Sequence, residues 1–192
     1  MKVNPAQLFP VLRSDAQGMV LAKLFMRPDE GFGITQLAGF AGVSVPTAMR
    51  EVDRLMDAQL VTQKTFGRAR VIQANQLHPL FVAIKQIILF SYGPIAVLPA
   101  ELAGVEGLEA AYLFGPWAAK ISRNSGPEPQ DIDVILVGYM NRIEAARAAA
   151  RARDALERDL NVQFVSSKEW AEANTDFVQG VKAQPLVQIP LG

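Results

Sequence analysis

Ser44-Val45-Pro46-Thr47-Ala48-Met49-Arg50-Glu51-Val52-Asp53-Arg54-Leu55-Met56 is the stretch on which the reading of this chain turns. Serine is a favoured helix cap, and Pro46 suits a first helical turn. Met49, Val52, Leu55 and Met56 recur at helical spacing and are expected to face a core. Thr47, Arg50 and Arg54 recur three and four residues apart on the opposite side, so they share one exposed stripe. The expected helix runs to about Gln59.

The flanking residues extend this helix into a pattern. Upstream, Ser14 and Gln17 form a Ser-x-x-Gln capping box before Val20, Leu21, Leu24 and Phe25. Pro28 ends that helix, and Gly31 and Gly33 mark a turn. Thr35 is expected to cap a short second helix carrying Leu37, Ala38 and Ala41, with Gly42 as its left-handed stop. Downstream, Leu60–Thr65 and Arg68–Ala74 flank Phe66-Gly67 and read as a β-hairpin. Three short helices and a hairpin are the order of a winged helix-turn-helix. In that arrangement Thr47, Arg50 and Arg54 face base edges in the major groove, and the helix start at Ser44 suits a phosphate. Lys64, Arg68 and Arg70 put three cations on the hairpin, suited to the backbone or minor groove. Glu51 and Asp53 dilute the charge of the third helix, so a winged helix used for protein contacts or dimerisation is the competing reading.

The segment Ile34–Ala74 resembles winged-helix regulators of the arsenic-repressor and multiple-antibiotic-resistance type. The resemblance lies in Ile34-Thr35-Gln36-Leu37-Ala38, Val43-Ser44-Val45-Pro46-Thr47, Arg54-Leu55 with Leu60-Val61, and Gly67-Arg68-Ala69-Arg70. Gln59 stands where such families often have glycine. An arsenic-type metal site is excluded, because the chain has no cysteine and His78 is its sole histidine. His78, before a proline, reads as a loop or packing residue. A linker helix, Phe81–Tyr92, follows. Its Phe81, Ile84, Ile87, Ile88 and Phe90 are more apolar than a solvated linker tolerates, which points to a homodimer on a two-fold operator; packing beneath its own second domain is the alternative.

The rest of the chain has a different character. Leu108–Phe114 reads as a strand ending at Gly115, and Trp117 to about Ser122 as a helical turn or two. Asn124–Gln130 reads as a loop, Asp131–Val137 as a buried strand, and Arg142–Leu160 as a helix. Val162–Val165 is a further strand, Ser167 is expected to cap a helix through Trp170, and a last helix covers Thr175–Val181. Asp131 and Asp133, two apart on a strand, point to one face. Paired carboxylates of this kind can share divalent metals. The run Phe114-Gly115-Pro116-Trp117-Ala118-Ala119-Lys120 with Asp131-Ile132-Asp133 resembles the minimal nucleotidyltransferase fold related to DNA polymerase beta, over roughly Glu106–Ser166. The resemblance implies Gly115 and Lys120 as nucleotide-binding residues and Asp131 and Asp133 as Mg²⁺ ligands. Two features depart from it. Pro116 replaces the family serine that helps hold a triphosphate. Asn161-Val162-Gln163-Phe164, where a third carboxylate is expected, offers only amides.

Composition bounds the remaining choices. Half of the 192 residues are hydrophobic and the formal net charge is zero. Nine Lys and Arg stand against six Asp and Glu up to Leu80, and ten against thirteen after it. A basic front and an acidic back fit two modules with different partners. The absence of cysteine and of a signal-like N-terminus points to the cytoplasm, and Phe81–Leu102, broken by Lys85, Gly93, Pro94 and Pro99, reads as buried helix plus loop instead of a membrane span. The expected fold class is α+β: an N-terminal winged helix-turn-helix (1–80), a linker helix and loop (81–105) and a small nucleotidyltransferase-like α/β domain (106–192). The expected role is a DNA-binding transcription regulator whose partner is double-stranded DNA. Its second domain, without catalysis, senses a nucleotide or binds a protein. No cofactor is required, and Mg²⁺ with a nucleotide is the one the site admits. The rival readings are an active Mg²⁺-dependent nucleotidyltransferase and an antitoxin-like partner protein.

Overall fold

The computed structural model describes residues 12–67, 69–123 and 129–191. It is a mixed α+β structure with two separate sheets. The chain divides into two compact units at Ala96/Val97. The helix Phe81–Tyr92 therefore belongs to the first unit.

The first unit opens with α1 (Asp15–Phe25), capped by Ser14, whose Oγ accepts from the N–H of Gln17 at 3.2 Å. The Gln17 side chain accepts in return from the N–H of Arg13 at 2.9 Å, one residue before the cap. A two-residue strand, β1 (Phe32–Gly33), leads into α2 (Ile34–Ala41). Gly33, not Thr35, caps α2: its N–H donates to Oε1 of Gln36 at 2.8 Å, and Thr35 lies inside the first turn. Gly42 ends α2 in the left-handed conformation, φ 64°, where glycine carries no Cβ penalty.

Next, α3 (Val45–Asp57) buries Ala48, Glu51, Val52 and Leu55. Met49, expected in the core, is instead 39% exposed. The buried stripe is Ala48, Val52 and Leu55, one residue to its side, with Glu51 buried among them. The helix ends in a Schellman motif, with Leu60 N–H on Leu55 O (2.9 Å) and Gln59 N–H on Met56 O (2.8 Å). Gln59 stands at the left-handed position of that motif, φ 57°. The hairpin strands β2 (Val61–Phe66) and β3 (Ala69–Ala74) follow, with Phe66 opposite Ala69. β3 also pairs with β1, Phe32 opposite Ile72, which gives the order β1-β3-β2. Gly33, expected in a turn, thus lies in a strand. His78 is a turn residue whose Nδ1 accepts from the N–H of Leu80 at 3.1 Å.

α4 (Phe81–Tyr92) closes the unit, with the rings of Phe25 and Phe81 stacked at 5.3 Å. Val20, Leu24, Phe25, Leu37, Val52, Ile72 and Ile88 have no exposed surface and form one core. Truncating Leu24 to Ala in such surroundings costs about 2–5 kcal/mol.

The second unit takes in most of α5 (Pro94–Leu102), then β4 (Leu108–Phe114), α6 (Gly115–Arg123), β5 (Ile132–Gly138), α7 (Arg142–Leu156) and β6 (Leu160–Val165). It ends with α8 (Ser167–Glu172), α9 (Asp176–Lys182) and β7 (Val187–Ile189). The sheet order is β6-β5-β4-β7. β5 and β6 are parallel and joined through α7, and the other pairs are antiparallel. α7 stops at Leu156, not Leu160, because Glu157 turns left-handed at φ 49°. Leu160 therefore opens β6. Ser166, not Ser167, caps α8, its Oγ accepting from the N–H of Glu169 at 3.1 Å. On one face of the sheet, Ile135, Val137 and Val165 pack with Val178 and Val181, and Tyr112 stacks on Trp170 at 4.9 Å. Among the described residues, Phe81–Leu102 is the one stretch apolar and long enough to cross a membrane, and half of its most apolar window is buried within the chain.

Candidate functional site

Two places gather the residues that carry chemistry. The first is the outer side of α3. Ser44, extended at φ −69°, accepts from the N–H of Thr47 at 3.3 Å through Oγ. The two hydroxyls share a hydrogen bond of 2.9 Å, and Arg50 donates from Nη2 to Thr47 Oγ1 at 3.2 Å. Ser44, Thr47 and Arg50 thus form a hydrogen-bonded row along the first two turns. Val45 and Met49, one turn apart, are exposed on the same helix.

Arg54 is held differently. Its Nη1 donates to Glu51 Oε1 at 3.0 Å. Glu51 is only 4% exposed, and both its oxygens also accept from Nη2 of Arg13. Nothing singles out Arg13 in the sequence. Glu51 does leave a trace there, since it sits between Ala48 and Leu55 on the buried stripe, and a buried carboxylate needs a cationic partner.

The hairpin is tied to the same helix. Arg70 on β3 donates from Nη2 to Asp53 Oδ1 at 2.9 Å and from Nε to Gln63 Oε1 at 2.7 Å. Lys64 is exposed on β2, opposite Val71, and Phe66 at the hairpin tip is 64% exposed. Arg68 lies outside the described residues, as do residues 124–128 of the loop before Asp131.

The second place is the start of β5, with Asp133 inside the strand and Asp131, expected on it, one residue before it. Asp133 stands opposite Phe114 on β4 and Asn161 on β6. Asn161 donates from Nδ2 to Asp131 Oδ2 at 2.7 Å and to Asp133 Oδ1 at 3.0 Å. Gly115, at φ 64°, lies so close that a Cβ there would sit 2.7 Å from Asp133 Oδ2. Gly115, Asp131 and Asp133 are therefore brought together, with Asn161 between the carboxylates. Lys120 is buried on α6. Arg158, also buried, donates from Nη1 to the carbonyl of Pro129 at 2.8 Å, and its guanidinium lies 5.6 Å from the Trp117 ring centroid. It anchors the segment that enters β5, and it is a second residue the sequence pattern does not reveal.

This donor set does not fit the paired metal ions of nucleotidyl transfer. Such a centre needs a full set of anionic ligands. Here the place between the carboxylates is taken by the N–H groups of an amide, and among the described residues no group of three or more His, Cys, Asp or Glu could hold a metal. Pro116 has no N–H to give a phosphate. No family model, curated protein or solved structure matches this chain.

Proposed function

We propose that the protein is a DNA-binding transcription regulator whose first unit is a winged helix-turn-helix. The observation that carries this reading is the Ser44–Thr47–Arg50 row on the outer side of α3. Arg50 there is exposed and can bond a guanine edge with two donors. Val45 and Met49 beside it suit thymine methyl groups. Lys64, exposed on the hairpin, supplies positive charge for a phosphate backbone, while Arg70 on the neighbouring strand is matched by Asp53. The test is selection from a random duplex pool, followed by a salt series on the recovered sequence. An enriched site, bound more weakly as salt rises, is the expected result. Absence of both removes the reading.

We infer that the second unit is nucleotidyltransferase-like in arrangement and does not transfer nucleotides. Support comes from the amide of Asn161 on both Asp131 and Asp133, and from Pro116 beside Gly115. Its role on this reading is sensing or partner binding, with Mg²⁺ and a nucleotide as a weak ligand of Gly115, Asp131, Asp133 and Lys120. An active enzyme is the second reading, favoured by the approach of Gly115 to Asp133. The protein acts as a homodimer, supported by the exposed Val82, Ile87 and Phe90 of α4.

A further inference from the structure

We infer that Arg13 and Arg54, joined on the carboxylate of Glu51, form a clamp for one backbone phosphate beside α3. The inference rests on the DNA-binding reading and assigns these two arginines within it.

A carboxylate facing a core is stable only when its charge is matched and its lone pairs are used. One arginine would balance it. Glu51 receives two, one on its own helix and one 38 residues earlier in the chain. Two guanidinium groups on one carboxylate leave one net positive charge. Both side chains are half exposed, at 50% each, while the carboxylate is 6% exposed. The positive charge therefore faces outward and the negative charge is hidden. A guanidinium has five N–H donors. Glu51 engages one nitrogen of each arginine, so most donors of the pair remain for an outside acceptor.

The arrangement suits a phosphodiester better than a base. A phosphate offers anionic oxygens to charged donors in several directions, and a shared positive charge is what it needs. Arg54 is pinned at Nη1 by the buried carboxylate, which fixes its remaining donors in place beside α3. Arg50 carries no such tie, its observed partner being the hydroxyl of Thr47. Base reading thus falls to Arg50 and backbone positioning to Arg13 with Arg54.

The experiment compares binding of the full chain to its selected duplex and to a scrambled duplex, by fluorescence anisotropy over a KCl series. Arg13→Ala should weaken both duplexes by the same factor and lower the magnitude of the log K against log salt slope by about 0.9, the value of one phosphate contact. Arg13→Lys should keep the slope. Arg50→Ala should reduce the ratio between the two duplexes by about tenfold or more. Because Arg13→Ala also strips Glu51 of a partner, a triple variant, Arg13→Met with Glu51→Met and Arg54→Met, is measured beside it; it takes the net charge of the cluster from one to zero. It leaves no lone buried charge and should show a reduced slope with an unchanged ratio. An unchanged slope in folded Arg13→Ala and in the folded triple variant overturns the clamp and leaves the DNA-binding reading standing. So does a changed ratio in Arg13→Ala. A wild-type protein that binds neither duplex overturns both.

Discussion

Asn161 stands directly opposite Asp133 across the parallel β5–β6 pair, and its amide donates to the aspartate at 3.0 Å. The same nitrogen reaches Asp131 at 2.7 Å. Asn161→Asp replaces that donor with a third carboxylate. We expect a loss of about 1–3 kcal/mol at neutral pH, the range for a polar group that loses its partner. Mn²⁺ should restore it, since a ligand at 100 times its Kd contributes about 2.7 kcal/mol. Thermal melts with and without MnCl₂ check this. If the variant melts as the wild type does and ignores the metal, the three side chains do not converge.

Nucleotidyl transfer should be absent from the wild type. Labelled ATP, GTP, CTP and UTP with Mg²⁺ or Mn²⁺ and candidate acceptors should leave no label on product. Transfer that disappears in Asp131→Asn and Asp133→Asn would instead establish the active enzyme.

The Tyr92 hydroxyl sits where a side chain on Gly18 would have to go: a Cβ at Gly18 would lie 1.8 Å from it. Gly18→Ala should cost about 1–3 kcal/mol through overpacking. Burial, and after it the Asp15 carboxylate, hold the Tyr92 hydroxyl above its ordinary 10.0. The unfolded chain therefore releases this proton first as pH rises. The stabilisation is full below about pH 10 and is lost as pH climbs through the higher folded value. Urea titrations from pH 8 to 11 should show this fall in the wild type and a shallower one in Tyr92→Phe.

Gln59 occupies a left-handed position at φ 57°. Such a conformation costs a non-glycine residue about 1–2 kcal/mol, and glycine gives back about 0.5–1 kcal/mol in chain entropy. Gln59→Gly should therefore gain up to about 1 kcal/mol. The readout is a higher denaturant midpoint with an unchanged m value.

Ile87 and Phe90 on α4 are 36% and 55% exposed. Replacing both with lysine should turn a dimer into a monomer in sedimentation equilibrium at micromolar concentration, with little change in the melt. A wild type already monomeric there removes the dimer.

The elements with strong local signals were legible in the sequence. Ser44, Pro46 and Gly42 frame α3 as their chemistry requires, and the hairpin and α4 fall where pattern puts them. β1 and β7 were not legible, because two or three residues carry no period and take strand form only from a partner. Met49 misleads because the apolar set Met49–Val52–Met56 competes with Ala48–Val52–Leu55, and spacing alone does not choose between two faces one residue apart. α7 has no glycine to mark its end, so Glu157 hides the stop. At the candidate sites, the residue types were visible and the partners were not. That Asn161 meets Asp133, and Arg13 meets Glu51, depends on strand register and on packing between distant segments.

In the order β1-β3-β2, β2 has a neighbour on one side only. A bare sheet edge is a template on which other chains can stack. Five of its six residues are exposed, and Lys64 lies in its middle between Gln63 and Thr65. An ammonium repeated at each stacked copy would repel the next, so the strand resists growing into an aggregate. Lys64 thus guards solubility whatever else it touches, and an apolar substitution there should be felt first as precipitation in the concentrated protein.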